Sequence, residues 1–431
     1  MSRRVAYPAL AAVCILPRLV LLLHERGAIT SSFTEKSDTF AETFVNHGTF
    51  GFIPGEPSAY TQPLYGWFLI PVYWLFGRNW LSIGLAQIAL ATVTVWLVYE
   101  VGRRVLGPRA AVAGAAIATL NPYLAWHDVH VNREIVDQVC AAALVLLTLV
   151  VAERPSRWLA ALLGVVTGVA ILGNTRLVLL PVLCAGYLLW RLPRGRSSAV
   201  VAALVLVGAG VAVAPWLLRN KANVGCWALT TDGRALWKAN NVQTHGLLSH
   251  GQWIDDVRQP PRPRGDYYTP EEAWGYYIKG RADLAHRFYP DECRQMSYFE
   301  HLAWRYVDAH PGGKAKLAAL SAQLLWQPNV FETSGRPGEG TRLDAGRRLV
   351  EPAYMWGVYV IAAAGLLVAP RAFVWLALLL LGYQTVAAFA FVGATRYRVA
   401  WDFLVVLLAT AALARVGEWV QERRGREPVR V

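Results

Sequence analysis

The sequence predicts an all-α integral membrane protein, a multi-span helical bundle of about 10–11 transmembrane helices with a small external mixed α/β domain. Three observations carry that expectation. Of 431 residues, 55% are hydrophobic and only 16% are charged, whereas soluble domains average about 45–50% apolar and about 25% charged. The mean hydropathy is +0.32, and apolar runs near the length needed to cross a bilayer recur along the chain. The net charge of +13 falls largely in short Arg-rich connections. Disorder is excluded, because disordered chains lack such apolar content. In a soluble chain the charge would suggest nucleic acid. Here it reports cytoplasmic loops and anionic headgroups, so no nucleic-acid partner is expected. The 18 Trp and 18 Tyr suit membrane interfaces.

In chain order, spans are expected near Val5–Leu23, Trp80–Val101, Ala110–Trp126, Ile135–Ala152, Trp158–Leu172, Leu177–Trp190, Ala199–Leu218, Pro352–Val368, Ala372–Val392 and Val399–Val416. Pro63–Phe76 is short and reads as a re-entrant or interfacial helix. The first span lacks a small-x-small cleavage site, so it is not read as a cleaved signal peptide. Arg3 and Arg4; Arg103, Arg104 and Arg109; Arg154 and Arg157; Arg191, Arg194 and Arg196; Arg371; and Arg423, Arg424 and Arg426 all fall on one side. The positive-inside rule makes that side cytoplasmic, with both termini. The expected organisation is an N-terminal transmembrane module at 1–218 with a catalytic outer loop at 24–79, an external domain at 219–350, and C-terminal helices with a basic tail at 351–431. The expected location is the plasma (inner) membrane, multi-pass, with the active site external.

Polar residues collect in the outer loops. Ser37–His47 has helical spacing, with Phe40, Phe44 and Val45 as an apolar stripe for a surface helix. Asp38 opens that helix, where Ser37 or Asp38 also suits an N-cap. Glu134 starts the fourth span, where the helix dipole alone would favour it. His127, Asp128 and His130 form an incomplete metal set. Arg176, Arg396 and Arg398 stand at the outer boundary against the positive-inside bias. Each either snorkels to headgroups or pairs with a phosphate, for which Arg supplies a bidentate fork. Tyr60 and Tyr397 suit a cavity wall or an interface anchor.

The external segment is expected to hold a hairpin from Cys226–Ala228 to Leu236–Trp237 around Thr231-Asp232-Gly233-Arg234. Helices are expected over Glu271–Ala285 and Tyr298–His310, and a loop over Gln259–Gly265. Lys314–Trp326 reads as a basic amphipathic segment on the membrane surface. Of 5 Cys, Cys226 and Cys293 are both external, where a disulfide is permitted. Cys14, Cys140 and Cys184 read as packing residues.

Four stretches, in order, resemble the GT-C glycosyltransferases, in particular the protein O-mannosyltransferase and aminoarabinose-transferase branch (family 39-type). They are SDTFAETFVNHGTF with SAYTQPLYGWFLIPVYWLFG, NPYLAWHDVHVNREIVDQ, APWLLRNKANVGCWALTTDGRALWKANN, and ATRYRVAWDFLVVLLA. YVDAHPGGKAKLAALSAQLLWQP resembles the helix pair closing the outer domain. The adjacent Asp-Glu pair common in the mannosyltransferase branch is absent, since Glu35 and Asp38 are separated. The resemblance implies transfer of a sugar from a polyprenyl-phosphate donor to a lipid, glycan or protein acceptor on the external face, with inversion. It implies catalytic roles for Asp38, as general base, and Glu134. It implies donor or phosphate contacts from Arg176, Arg219, Arg396, Arg398, Tyr60 and Tyr397. No metal ligand is assigned, and a divalent metal stays open. Membrane lipids are the surrounding partners, and a monomer is expected. The alternatives are a polytopic transporter or flippase, for which no internal repeat is seen, and a lipid-linked glycan polymerase or ligase.

Overall fold

The computed structural model describes residues 3–31, 35–258, 260, 269–328 and 342–424. The first half comprises α1 (Arg3–Glu25), α2 (Lys36–His47), α3 (Pro63–Phe76), α4 (Trp80–Val105), α5 (Pro108–Thr119), α6 (Pro122–His127), α7 (Glu134–Glu153), α8 (Arg157–Gly173), α9 (Leu180–Arg191) and α10 (Arg196–Asn223). There follow α11 (Gly233–Ala239), α12 (Thr244–Ser249), α13 (Pro270–Tyr277), α14 (Ala282–Arg287), α15 (Glu292–Ala309) and α16 (Pro311–Trp326). The chain then returns to the bundle through α17 (Arg342–Val368), α18 (Arg371–Ala390), α19 (Thr395–Arg398) and α20 (Asp402–Arg424).

Seven segments among the described residues are long and apolar enough to cross a membrane: Arg3–Thr30, Trp80–Val105, Glu134–Glu153, Arg196–Asn223, Gly346–Val368, Arg371–Ala390 and Thr395–Arg423. The other expected spans are shorter. Ala110–Trp126 is broken at Asn121-Pro122, where the Asn121 side chain caps α6, because the residue before Pro is pushed out of the helical region. Trp158–Leu172 lies in the 17-residue α8, and Leu177–Trp190 is reduced to the 12-residue α9.

Small residues bring the helices together. A Cβ on Gly164 would strike the Val205 carbonyl, and one on Gly208 the Ala161 carbonyl, so α8 and α10 pack backbone to backbone. Without a hydrophobic force between helices in lipid, such close approach supplies the packing. Gly365 faces the Leu408 carbonyl in the same way, seating α17 on α20.

The external segment is a correction. Among the described residues it contains no strand; the one bridge, Ile53 to Glu56, lies in the first loop. The expected hairpin is instead the start of α11, because Asp232 caps it by accepting from the Ala235 N–H at 3.1 Å. Glu271–Ala285 divides into α13 and α14 around Gly280, whose φ of 73° few side chains tolerate. Tyr298–His310 falls within α15, apart from the cap residue His310. Most of the expected loop Gln259–Gly265 lies outside the described residues. The segment Lys314–Trp326 packs on the bundle rather than lying free on a surface: Trp326 Nε1 donates to Thr385 Oγ1 at 2.9 Å. A disulfide joins Cys226 to Cys293 with Cα atoms 5.9 Å apart, tying the end of α10 to α15. Cys14, Cys140 and Cys184 are buried free thiols.

Candidate active site

At the loop-bearing end of the bundle lies a polar cavity of about 430 Å³. Its floor is the ends of the spans and its roof is α11 and α13. Two groups of charged side chains line it.

The floor group comes from four separate loops. Arg396, on α19, donates Nε to Glu134 Oε1 at 2.6 Å and its terminal nitrogen to Glu35. Glu134, at the start of α7, is buried behind Arg396. Its second oxygen has no partner. Arg133, one residue earlier, donates to Gln62 Oε1 at 2.7 Å. Arg176 is set by Asn174, whose side chain accepts from the Arg176 N–H at 3.2 Å. The Arg176 guanidinium donates to the Val392 carbonyl at 2.8 Å and stacks 3.4 Å from the Tyr397 ring centre. Among the described residues, neither Arg133 nor Arg176 forms an ion pair with a carboxylate.

The roof group is Lys36, Asp232, Arg234 and Glu271. Lys36 Nζ lies 2.8 Å from Asp232 and 3.4 Å from Glu271, and 4.5 Å over the Tyr60 ring. Arg234 pairs with Glu271. Burial pushes the Asp232 carboxyl up, but Lys36 and Arg234 outweigh it and hold it below its ordinary range. Burial likewise raises the Glu35 carboxyl, but Arg396 and Arg133 bring it below the usual value. Burial depresses the Lys36 ammonium, and Asp232 and Glu271 more than restore it.

The cavity therefore gathers Arg176, Arg396, Tyr60 and Tyr397 from the sequence-derived set, with Glu134 directly behind. Three others stand elsewhere. Asp38 is not on the cavity wall. It sits in the first turn of α2, where Arg78 Nη2 is 2.7 Å away and Tyr73 donates to it. That pairing fastens α2 to the α3–α4 corner. The N-cap position is Glu35, not Ser37 or Asp38. Arg219 spends its fork on the carbonyls of Ser58 at 2.8 Å and Phe50 at 3.0 Å, holding the first loop over α10. Arg398 is fully buried, with Nε 2.8 Å from Asp402 and a second nitrogen 2.7 Å from the Leu325 carbonyl. It joins α16 to the last span and does not line the cavity.

His127, Asp128 and His130 do not converge. Asp128 bonds Arg18 and Gln138, His130 bonds Glu25 and the Trp126 carbonyl, and His127 faces Asn132 and Arg347. Among the described residues no group of three His, Cys, Asp or Glu is placed to hold a metal. Sequence reasoning missed Glu35, Lys36, Arg133, Asp232, Arg234 and Glu271. Arg133 carried a usable signal, since it directly precedes Glu134 at the start of α7.

Below the cavity, α9 and α18 splay apart. Val182, Leu183, Gly186, Tyr187, Trp190, Trp375, Leu378 and Leu379 line an apolar groove of about 670 Å³ between them.

Residues 57–218 match the family model of dolichyl-phosphate-mannose-protein mannosyltransferases. No curated protein matches the chain in sequence. Two solved structures of the Archaeoglobus fulgidus oligosaccharyltransferase share its fold. The form of AglB in complex with an inhibitory peptide and a dolichol-phosphate has a TM-score of 0.55 at 12% identity, covering 98% of this chain and 52% of that one. The form tethered with an acceptor peptide containing the NVT sequon has a TM-score of 0.53 at 12% identity, covering 98% and 51%. The chain spans about half the length of these structures. ArnT from Cupriavidus metallidurans bound to undecaprenyl phosphate matches at a TM-score of 0.43 and 15% identity, covering 94% and 79%.

Proposed function

We propose, from the premise that this chain is a multi-pass membrane protein with the GT-C glycosyltransferase fold, that it moves a sugar from a polyprenyl-phosphate donor to an acceptor hydroxyl on the external face. The observation that carries the reading is the pair Arg133 and Arg176. Both line a polar cavity at the mouth of the bundle, and among the described residues neither is in direct ion-pair contact with a carboxylate. Two guanidinium groups whose forks are not taken up by a carboxylate suit a phosphate anion. The apolar groove between α9 and α18 begins below Arg176 and suits a long isoprenoid tail. That the Archaeoglobus fulgidus protein was solved with dolichol-phosphate and with an acceptor peptide supports the same choice of donor and keeps a protein acceptor beside a lipid or glycan. The Cys226–Cys293 disulfide supports placing the helical roof in an oxidising, external compartment, with both termini cytoplasmic.

In the reaction the acceptor oxygen attacks the anomeric carbon, and the bond from that carbon to the phosphate oxygen breaks with its electrons leaving to the phosphate. Arg133 and Arg176 stabilise the charge that grows there. The acceptor proton passes to a carboxylate. Asp38 was the sequence's choice, but its oxygens hold Arg78 and Tyr73 away from the cavity. Glu35 lines the cavity and takes the role of general base. Its partner Arg396 also bonds Glu134. Attack opposite the leaving phosphate inverts the anomeric centre.

The test is release of polyprenyl phosphate from a panel of polyprenyl-phosphate sugars by purified protein. Glu35→Gln removes turnover and keeps donor binding, whereas Asp38→Asn keeps measurable turnover in whatever fraction stays folded. Near-full turnover in Glu35→Gln refutes the base assignment. Wild-type protein that neither binds nor cleaves any such donor refutes the function.

A further inference from the structure

The two ends of the cavity differ in charge balance. On the floor, Arg133 and Arg176 are left without carboxylate partners among the described residues. On the roof every charge is matched within the group. Lys36 joins Asp232 and Glu271 at 2.8 and 3.4 Å, Arg234 joins Glu271, and Lys238 joins Asp255 at 2.5 Å. The four inner side chains are only 11–29% exposed, so these pairs are largely shielded from water. They come from α2, α11 and α13, and the indole of Trp253 stands on the same wall. Asp232 is locked twice, by Lys36 and by its cap bond to Ala235.

We propose that the quartet Lys36, Asp232, Arg234 and Glu271, with Trp253, is the subsite that reads the glycosyl group of the donor, and that it selects an uncharged sugar. The inference rests on the donor reading above. A phosphate held by the floor arginines places its sugar toward the roof, since the isoprenoid tail leaves in the opposite direction. Hydroxyls then meet alternating donors and acceptors whose spare lone pairs and N–H groups they satisfy without displacing an ion pair. Trp253 offers an apolar face to the sugar's C–H surface. A charged substituent finds no unpaired opposite charge. An ammonium reaches carboxylates already held by Lys36 and Arg234, and a carboxylate reaches cations already held by Asp232 and Glu271. Either must break a shielded pair and strand one member of it. The quartet thus determines specificity, while the floor arginines supply affinity for any polyprenyl phosphate.

The experiment measures binding of four ligands to the purified full chain in detergent micelles: polyprenyl phosphate alone, and polyprenyl phosphate carrying a neutral hexose, an amino sugar or a uronic acid. The neutral donor is expected to bind roughly tenfold or more tightly than either charged one, the usual scale of a stranded charge. Glu271→Gln leaves Lys36 and Arg234 sharing one carboxylate. It is expected to improve the uronosyl donor relative to the neutral one by about fivefold or more, with polyprenyl phosphate alone unchanged. Lys36→Met is expected to move the amino-sugar donor in the corresponding direction. Equal affinities, or a wild-type preference for a charged sugar, overturn the inference while leaving the donor reading in place. So does a Glu271→Gln protein that weakens all four ligands alike, which marks the quartet as scaffold. If polyprenyl phosphate itself does not bind, the donor reading falls and this inference falls with it.

Discussion

Removing Arg176 tests the phosphate site most directly. Among the described residues its guanidinium makes one hydrogen bond, to the Val392 carbonyl at 2.8 Å, and stacks on Tyr397 at 3.4 Å. The other donors of its fork are open to a ligand. A charge-assisted hydrogen bond contributes about 1.5–3 kcal/mol, so Arg176→Ala is expected to weaken polyprenyl-phosphate binding by about 10- to 150-fold. Loss of the Val392 bond adds about 1 kcal/mol of destabilisation at the loop joining α18 to α19. The two effects separate in the assay: affinity is read by titration on protein that a thermal melt shows to be folded. Arg176→Lys keeps the charge but loses the fork, and is expected to fall between. Unchanged affinity in Arg176→Ala, with the melt lowered, would return Arg176 to a purely structural role and refute the argument from the two floor arginines.

Three further outcomes follow from the same geometry. Asp402→Ala strands the fully buried Arg398 and is expected to destabilise the protein by about 3–5 kcal/mol without changing donor affinity per folded molecule, read by melt and titration together. A parallel loss of donor affinity would restore Arg398 to the phosphate site. Cys226 and Cys293 are expected to resist alkylation until reduced. Cys293→Ser is expected to cost up to about 4 kcal/mol for a loop closed across 67 residues, and free alkylation in the native protein would contradict the pairing. For pH, the depressed Asp232 and Glu35 carboxyls contribute stability above their unfolded pKa and lose it as pH falls through their lower folded values. Lys36, raised, contributes fully below its unfolded pKa and loses it only above. Affinity for a phosphodiester donor is therefore expected to stay flat from about pH 5 to about pH 9, and a step between pH 6 and 8 would show that another group governs it.

What the sequence displayed depended on how far a residue's partner lies along the chain. The helical bundle was legible because its cause is local: apolar runs, Arg-rich short connections and Pro at helix starts. Arg176 and Arg396 were legible because a cation at the span end opposite the Arg-rich connections breaks a local bias. The pairing of Asp38 was illegible because its partner Arg78 is 40 residues away and nothing local marks the pair. The pairing of Arg398 was legible in principle, since its partner Asp402 is four residues on, the spacing of neighbours on one helix face. Thr231-Asp232-Gly233 fits both a hairpin turn and a helix start, and the Asp232 cap together with the packing of Gly233 against the Met296 backbone goes with the helix. The roof quartet was illegible because Lys36 and Asp232 are separated by 196 positions.

Arg396 stands between two carboxylates that differ in burial, and this sets what a bound phosphate can do. Glu134 is 2% exposed and takes the Nε of Arg396 at 2.6 Å, whereas Glu35 takes a terminal nitrogen on the cavity side. A phosphate arriving at the floor competes for the terminal nitrogen. It frees Glu35 to accept a proton while Glu134 keeps its cation, so no buried charge is stranded. In the proposed reaction Glu134 would then position the base rather than carry the proton. Glu134→Gln lets Arg396 swing wholly onto Glu35, and the donor must then break the stronger pair. The expected result is a fall in kcat larger than the change in donor affinity, with the acidic limb of the kcat profile moved to lower pH as Glu35 becomes harder to protonate. A fall in donor affinity alone, with kcat and its pH profile kept, would show that Glu134 does nothing for the base and serves only to hold the phosphate's arginine in place.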